Sequence, residues 1–285
     1  MYQTTLLALV FLTALISCNK DDNSGAADPK SATPDSSIEA PAGYKLVWSD
    51  EFDVDGLPNP AKWTYDTEAN KTGWYNNEKQ YYSRARLENS KVENGKLIIT
   101  ARKEKLSTEA DYGGQSYTSA RLITLGKADW TYGFMEVHAK LPCGVGTWPA
   151  IWMLGSNDDP YPLNGEIDIM EQVGMNPTKI YGTIHNQSTA GTFGNGGETT
   201  LNDACSVFHN YQLTWTPEKL VIAVDGVTFH TYVNDGKGKN SWPYNNPQYF
   251  LLNLAIGGDM AGPTIDDTIF PAKFEVEYVR VFQKK

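Results

Sequence analysis

The chain of 285 residues carries 34 acidic against 24 basic side chains, a formal charge of −10, and no run of Lys or Arg beyond its last two residues. That balance excludes the positive surface a nucleic acid requires, and it argues against sulfated or uronic polysaccharides, whose repulsion a basic groove would have to offset. Aromatic residues make up 12% of the chain, with 8 Trp and 16 Tyr; most are expected in a core, and any in a groove would stack on the apolar faces of an uncharged ligand such as a neutral glycan.

At the N-terminus, Leu6 to Ile16 form an apolar run too short to cross a bilayer but of the length found in secretion signals, although Met1 to Thr5 supply no Lys or Arg ahead of it. The run ends in Leu15-Ile16-Ser17-Cys18, which resembles a bacterial lipobox and predicts a lipidated Cys18 as the first residue of the mature chain. The following Asn19-Lys20-Asp21-Asp22 resembles the basic-then-acidic signature of lipoproteins exported to the outer surface. Residues 1–18 are thus expected to be signal peptide and anchor, and residues 19–41, dominated by Asp, Ser, Ala, Pro and Gly, a flexible tether. The expectation is an outer-membrane lipoprotein on the cell surface, monomeric, touching the membrane only through its lipid. Residues 42–285 have the size of one β-rich domain. Cys143 and Cys205 are free to pair in an oxidising compartment, and the sequence leaves that open.

Past Tyr44 the pattern is one of short apolar or alternating runs separated by Gly, Asn, Asp and Pro, which predicts an all-β, antiparallel fold of two packed sheets. In chain order the expected strands are Leu46 to Phe52, Leu97 to Ala101 after the Asn94-Gly95 turn, Arg121 to Leu125, Gly133 to Leu141, Ile151 to Leu154, Glu166 to Val173, Lys179 to Ile184 and Tyr211 to Trp215. They continue with Leu220 to Val224, joined through Asp225-Gly226 to Val227 to Tyr232 as a hairpin, then Phe250 to Ile256 and Phe274 to Phe282. In the last, Glu275 and Glu277 alternate with Phe274, Val276 and Tyr278, as a half-buried strand requires.

One segment departs from simple alternation. Gly165-Glu166-Ile167-Asp168-Ile169-Met170-Glu171 puts three acids into an apolar strand. In a regular strand Glu166, Asp168 and Met170 share one face, and Glu171 joins Ile167 and Ile169 on the other, where an ionised carboxylate costs several kcal/mol. A β-bulge near Ile169 and Met170 returns Glu171 to the face of Glu166 and Asp168, and such bulges concentrate beside active sites. Side chains leaning together from positions about 13 Å apart along the strand can close to the roughly 5–5.5 Å that a retaining glycosidase needs. Like charges so near cannot all ionise, so one acid must hold a proton. The roles that follow are Glu166 as nucleophile, Glu171 as acid/base, and Asp168 as the hydrogen-bonding partner of Glu166.

The acid strand and Gly146-Thr147-Trp148-Pro149-Ala150-Ile151-Trp152-Met153-Leu154 together resemble the family 16 glycoside hydrolases, in particular bacterial laminarinases. Trp48-Ser49-Asp50-Glu51-Phe52, Asn76-Asn77-Glu78, Tyr117 to Leu122, Tyr132 to Glu136, Gly182 to His185 and Val279-Arg280-Val281 extend the likeness over most of the domain. The resemblance implies a β-jelly-roll sandwich with an open concave cleft and endo-cleavage of laminarin-like β-1,3-glucan, with mixed-linkage β-1,3-1,4-glucan as a further substrate. It gives Glu166, Asp168 and Glu171 the same three roles, and makes Asn76, Arg121, Trp148, Trp152 and His185 contacts to glucose units. Met260 stands at a sugar-contacting position where many laminarinases carry Trp, so the stacking ring is missing there. Trp130 is expected to pack rather than bind. No cofactor is implied for catalysis, but a structural Ca²⁺ is, held by Glu51, the Gly95 carbonyl and Glu277, the last standing where the family usually has Asp. Two alternatives stay open: a hydrolase of a galactan such as agar or carrageenan, which predicts basic subsites, and a non-catalytic glycan-binding protein, which predicts loss of one of the three acids.

Overall fold

The alternating runs become strands in the computed structural model, which describes residues 39–285; the signal segment, Cys18 and most of the tether lie outside the described residues. In chain order the strands are β1 (Tyr44–Asp50), β2 (Thr64–Tyr65), β3 (Gln80–Tyr82), β4 (Ser90–Val92), β5 (Leu97–Ala101), β6 (Tyr117–Ser119), β7 (Arg121–Ile123), β8 (Gly133–Lys140) and β9 (Thr147–Gly155). They continue as β10 (Glu166–Glu171), β11 (Lys179–His185), β12 (Asn195–Thr200), β13 (His209–Trp215), β14 (Lys219–Val224), β15 (Val227–Val233), β16 (Gln248–Ile256) and β17 (Ala272–Lys284).

One antiparallel sheet runs β12-β11-β10-β9-β16-β7-β2, and the other β15-β14-β13-β8-β17-β5-β4 with β1 added on β17. The two-sheet antiparallel architecture expected from the sequence is therefore present. In β8 the residues Gly133, Met135, Val137 and Ala139 are buried while Phe134, Glu136, His138 and Lys140 are partly exposed, the period of two that a one-sided strand shows. Central β16 is buried along its whole length, because its second face lies under the cleft walls. The sheets are joined by one apolar layer, to which Ile151, Ile167, Ile169, Met170 and Leu252 contribute from the first sheet and Met135, Val137, Leu213, Val276 and Val281 from the second. Each such side chain contributes roughly 1.5–3 kcal/mol by leaving water.

Several local outcomes differ from or complete the sequence reading, and the short strands β2, β3, β4 and β6 were not among those expected. Strand β9 begins at Thr147, four residues before the expected Ile151, which brings Trp148 into the sheet. Strand β12 was not foreseen, since Asn195-Gly196-Gly197-Glu198-Thr199-Thr200 has no apolar alternation; it is ordered by pairing with β11. Cys143 and Cys205 form a disulfide with Cα atoms 5.7 Å apart, tying the loop before β9 to the segment before β13. The Asp225-Gly226 hairpin turn has φ of 50° and 77°, the positive values its two residue types tolerate.

Candidate active site

Strand β10 carries the bulge. Against β9, Asp168 pairs with Trp152 and Met170 with Ile151, so Ile169 has no partner of its own; against β11, the register jumps between Asp168 and Glu171 in the same way. Ile169 and Met170 are both fully buried in the layer between the sheets. With two successive residues facing inward, Glu171 turns back to the face of Glu166 and Asp168, and all three acids line one cleft of about 410 Å³.

Trp148 and Trp152 from β9, Asn253 from β16, Arg121 from β7 and Asn76 and Glu78 from the segment before β3 complete the walls. Trp148 donates its indole N–H to Glu171 Oε1 at 2.9 Å, and Trp152 donates to Asn253 Oδ1 at 2.7 Å. The Arg121 guanidinium lies 4.6 Å from the centre of Trp152 and 5.2 Å from that of Trp74, with Nε 3.3 Å from Asp66. Arg121 is thus stacked and charge-paired beside the cleft, and it is the only basic side chain among the described residues that line it. Asn76 sits in a tight turn with φ of 55°, its carbonyl accepting the Asp259 N–H at 2.8 Å.

Asp168 is buried, while Glu166 and Glu171 are half-buried. One ligand atom each of Glu166, Asp168 and His185 lies within 4.8 Å of the others, and His185 Nε2 is 3.3 Å from Asp168 Oδ2. Loss of water raises the pKa of all three acids. After burial, Glu166 is pushed up by Asp168 and pulled back by His185, and Asp168 is pushed up by Glu171. For Glu171 the hydrogen bond from Trp148 and the ring of His185 pull down, and Glu78 pushes up. A cleft so arranged favours the protonated forms of its acids more than water does.

Sequence reading missed Tyr161, whose phenol is pushed up by burial and by the charge of Glu166, and also Tyr75, Glu78 and Asn253. Asn253 had a signal, a lone amide inside Phe250 to Ile256; Tyr161, in a Pro-flanked loop, had none. Met260 does not line the cleft and packs instead on the small cluster of Trp148, Val173, Ala255 and Ala261. Trp130 is buried against Trp48 and Phe250, as expected. Of the residues expected to hold calcium, Glu51 follows β1, Gly95 precedes β5 and Glu277 lies in β17. Glu51 is gripped by Arg280 through Nε at 3.1 Å and Nη2 at 2.7 Å, Glu277 faces His138 Nδ1 at 2.9 Å, and Gly95 occupies the turn before β5. Arg280 therefore already neutralises Glu51, a charge that Ca²⁺ would have to share.

A β-sandwich that lines up three acids in an aromatic-walled cleft defines a glycoside hydrolase. The sequence model for Glycosyl hydrolases family 16 matches residues 76–279, and the chain belongs to that family, whose members need no catalytic cofactor. It is 45% identical to a beta-glucanase from Rhodothermus marinus over 87% of this chain and 88% of that one. Among solved structures, SCLam, a non-specific endo-beta-1,3(4)-glucanase, shares 52% identity with a TM-score of 0.83, covering 87% of this chain and 94% of its own. The laminarinase from Rhodothermus marinus gives 45% and 0.80, covering 85% and 98%. The fold is accordingly the β-jelly roll of these enzymes.

Proposed function

We propose that this enzyme is an endo-β-glucanase that cleaves internal β-1,3 bonds of laminarin-like glucan, with mixed-linkage β-1,3-1,4-glucan as a second substrate, by double displacement with retention. The observation that carries the reading is the bulge at Ile169, which sets Glu171 beside Glu166 and Asp168 in the cleft. Glu166 attacks the anomeric carbon as the glycosidic bond breaks, and the departing oxygen takes the proton of Glu171. The Glu171 carboxylate then accepts a proton from water, whose oxygen displaces Glu166 from the same carbon. Two inversions give net retention. For the first step Asp168 is protonated and donates a hydrogen bond to the attacking Glu166 carboxylate.

The indole faces of Trp148 and Trp152 supply stacking surfaces for pyranose C–H faces, while Asn76, Asn253 and Arg121 supply polar partners for hydroxyls. A cleft with one basic side chain, already paired to Asp66, disfavours an anionic galactan. Reducing-sugar release from a panel of laminarin, barley glucan, agarose and carrageenan tests substrate class; proton NMR of the first products tests stereochemistry. Release from laminarin with β-anomers appearing first supports the proposal, and α-anomers first would falsify retention. On this reading the enzyme works outside the cell, held through a lipid on Cys18. Radiolabelled palmitate is expected to enter the wild type and not Cys18→Ala.

A further inference from the structure

We propose that Phe193, on the loop joining β11 to β12, is a stacking residue for the half of the glucan that leaves when the bond is cut. The inference deepens the proposed function and rests on the polymer being cut internally, over β10.

An internal cut draws on sugar contacts at both sides of the scissile bond. The groups that line the cleft stand on β10 or on its β9 side, out to Arg121 and the segment of Asn76. The other half of the polymer has to cross β11 and β12, which complete the sheet on the far side of β10. In double displacement one half stays bonded to Glu166 while the other departs, and water then enters from the vacated side. The walled side suits the half that stays, so the open side over β11 and β12 receives the half that leaves.

On that open side β11 presents Tyr181, Thr183 and His185 partly exposed, alternating with buried Ile180, Gly182 and Ile184. His185 is the cross-strand neighbour of Glu166. A Cβ added to Gly194 would meet Thr183 Cγ2 at 2.6 Å and His185 Cε1 at 2.8 Å, and one added to Gly196 would meet Thr183 Oγ1 at 3.1 Å. Both glycines therefore lie on the cleft face, and Gly194, with φ of 79°, lets the loop pass directly against the imidazole. Phe193 comes one residue earlier. Its Cα lies within about 8 Å of the His185 ring, one Cα step and one carbon–carbon bond beyond that contact.

The side chain of Phe193 is 99% exposed, so the ring buries nothing in the fold and is free to cover an apolar sugar face. The loop beneath it is held at both ends. Asn186 Nδ2 donates to Tyr232 Oη at 3.0 Å and to the Ser241 carbonyl at 3.1 Å, and its Oδ1 accepts the Ser188 N–H at 3.0 Å, capping a 3₁₀ turn over Gln187–Thr189. Thr192 Oγ1 accepts the Gly194 N–H at 3.2 Å. On the β9 side of β10 another ring, Tyr75, is 76% exposed where it lines the cleft. A glucan laid across β10 thus has an exposed aromatic to either side of the bond to be cut.

Two substrates separate the two halves, assayed with the full chain. On laminarin, Phe193→Ala should lose roughly three- to tenfold in kcat/KM, the worth of one ring contact, and Phe193→Trp should keep the wild-type value. On β-laminaribiosyl fluoride, whose leaving group carries no sugar, Phe193→Ala should match the wild type. Added laminaribiose competes with water for the glycosyl group on Glu166, and the ratio of transfer to hydrolysis, read by chromatography, should fall in Phe193→Ala. The thermal melt of that variant by circular dichroism should be unchanged, since the ring packs on nothing. An unchanged kcat/KM on laminarin, an equal loss on laminarin and the fluoride, or undiminished transfer overturns the proposal. Wild-type protein inert on both substrates would instead remove the proposed function, and this inference with it.

Discussion

The indole N–H of Trp148 sits 2.9 Å from Oε1 of Glu171, so a ring in the cleft wall also steadies the charged form of the carboxylate beside it. Trp148→Phe keeps an aromatic face and loses that donor. Its alkaline limb should move to higher pH, and kcat/KM should fall by roughly tenfold, the worth of one hydrogen bond to a charged group. A pH–rate profile with the limb displaced downward would contradict the assignment.

The two glutamates are expected to fail differently. Glu171→Ala should lose about 10²–10⁴-fold on laminarin and far less on substrates whose leaving group needs no proton. Glu166→Ala should be all but inactive, since no covalent intermediate can form, and added azide should restore turnover as a glycosyl azide of inverted configuration. Chromatography and NMR of the azide adduct check the outcome.

Stability should rise where activity is lost. Burial and Asp168 raise the pKa of Glu166 in the folded state, so the folded protein binds more protons than the unfolded chain between the ordinary carboxylate range and the raised value. Across that window stability falls as pH rises. Glu166→Gln removes the ionisation, and its Tm at neutral pH should exceed that of the wild type, with the gap closing by pH ~3, where the wild-type acid is protonated in both states. Scanning calorimetry at the two pH values measures the difference, and an equal or lower Tm at neutral pH would count against it.

The Cys143–Cys205 bond spans 62 residues. Closing a loop of that size is worth about 4 kcal/mol through the unfolded chain. Paired Cys→Ser replacement should therefore lower Tm by several degrees. Since Cys143 lies in the loop leading into β9, thermal loss of laminarinase activity should follow the same shift.

The acid strand was legible in the sequence because physics forbids its simplest form: three carboxylates cannot be apportioned to both faces of a strand that borders an apolar layer. Two-sheet architecture was legible for a related reason, the alternation in segments such as Gly133 to Lys140. Arg121, Trp148 and Trp152 entered through the family resemblance, and their seats on β7 and β9 place them in the cleft wall. Glu78 stood in the resembling stretch Asn76-Asn77-Glu78 but was not read as a site residue, and Tyr161 had no local signature, since only topology brings it to the acids. At Glu51, expected to hold calcium, the sequence hid a partner. The pairing of β1 with β17 sets Ser49 opposite Arg280, which delivers a guanidinium to the neighbouring Glu51. Polar, glycine-rich β12 was missed because edge pairing, not side-chain burial, orders it.

The extra residue in β10 has a consequence for how the site is counted. Glu166 and Glu171 are opposite Leu154 and Ala150 on one side, and His185 and Tyr181 on the other. Both neighbours thus span with five residues what β10 spans with six. A chain shortened at Ile169 would keep the same matched ends and, by plain alternation, leave the three acids looking the same way. The ladder does not need that isoleucine. What it supplies is volume: a second inward side chain where the sheets meet, bending the strand at the place where the reacting bond would lie.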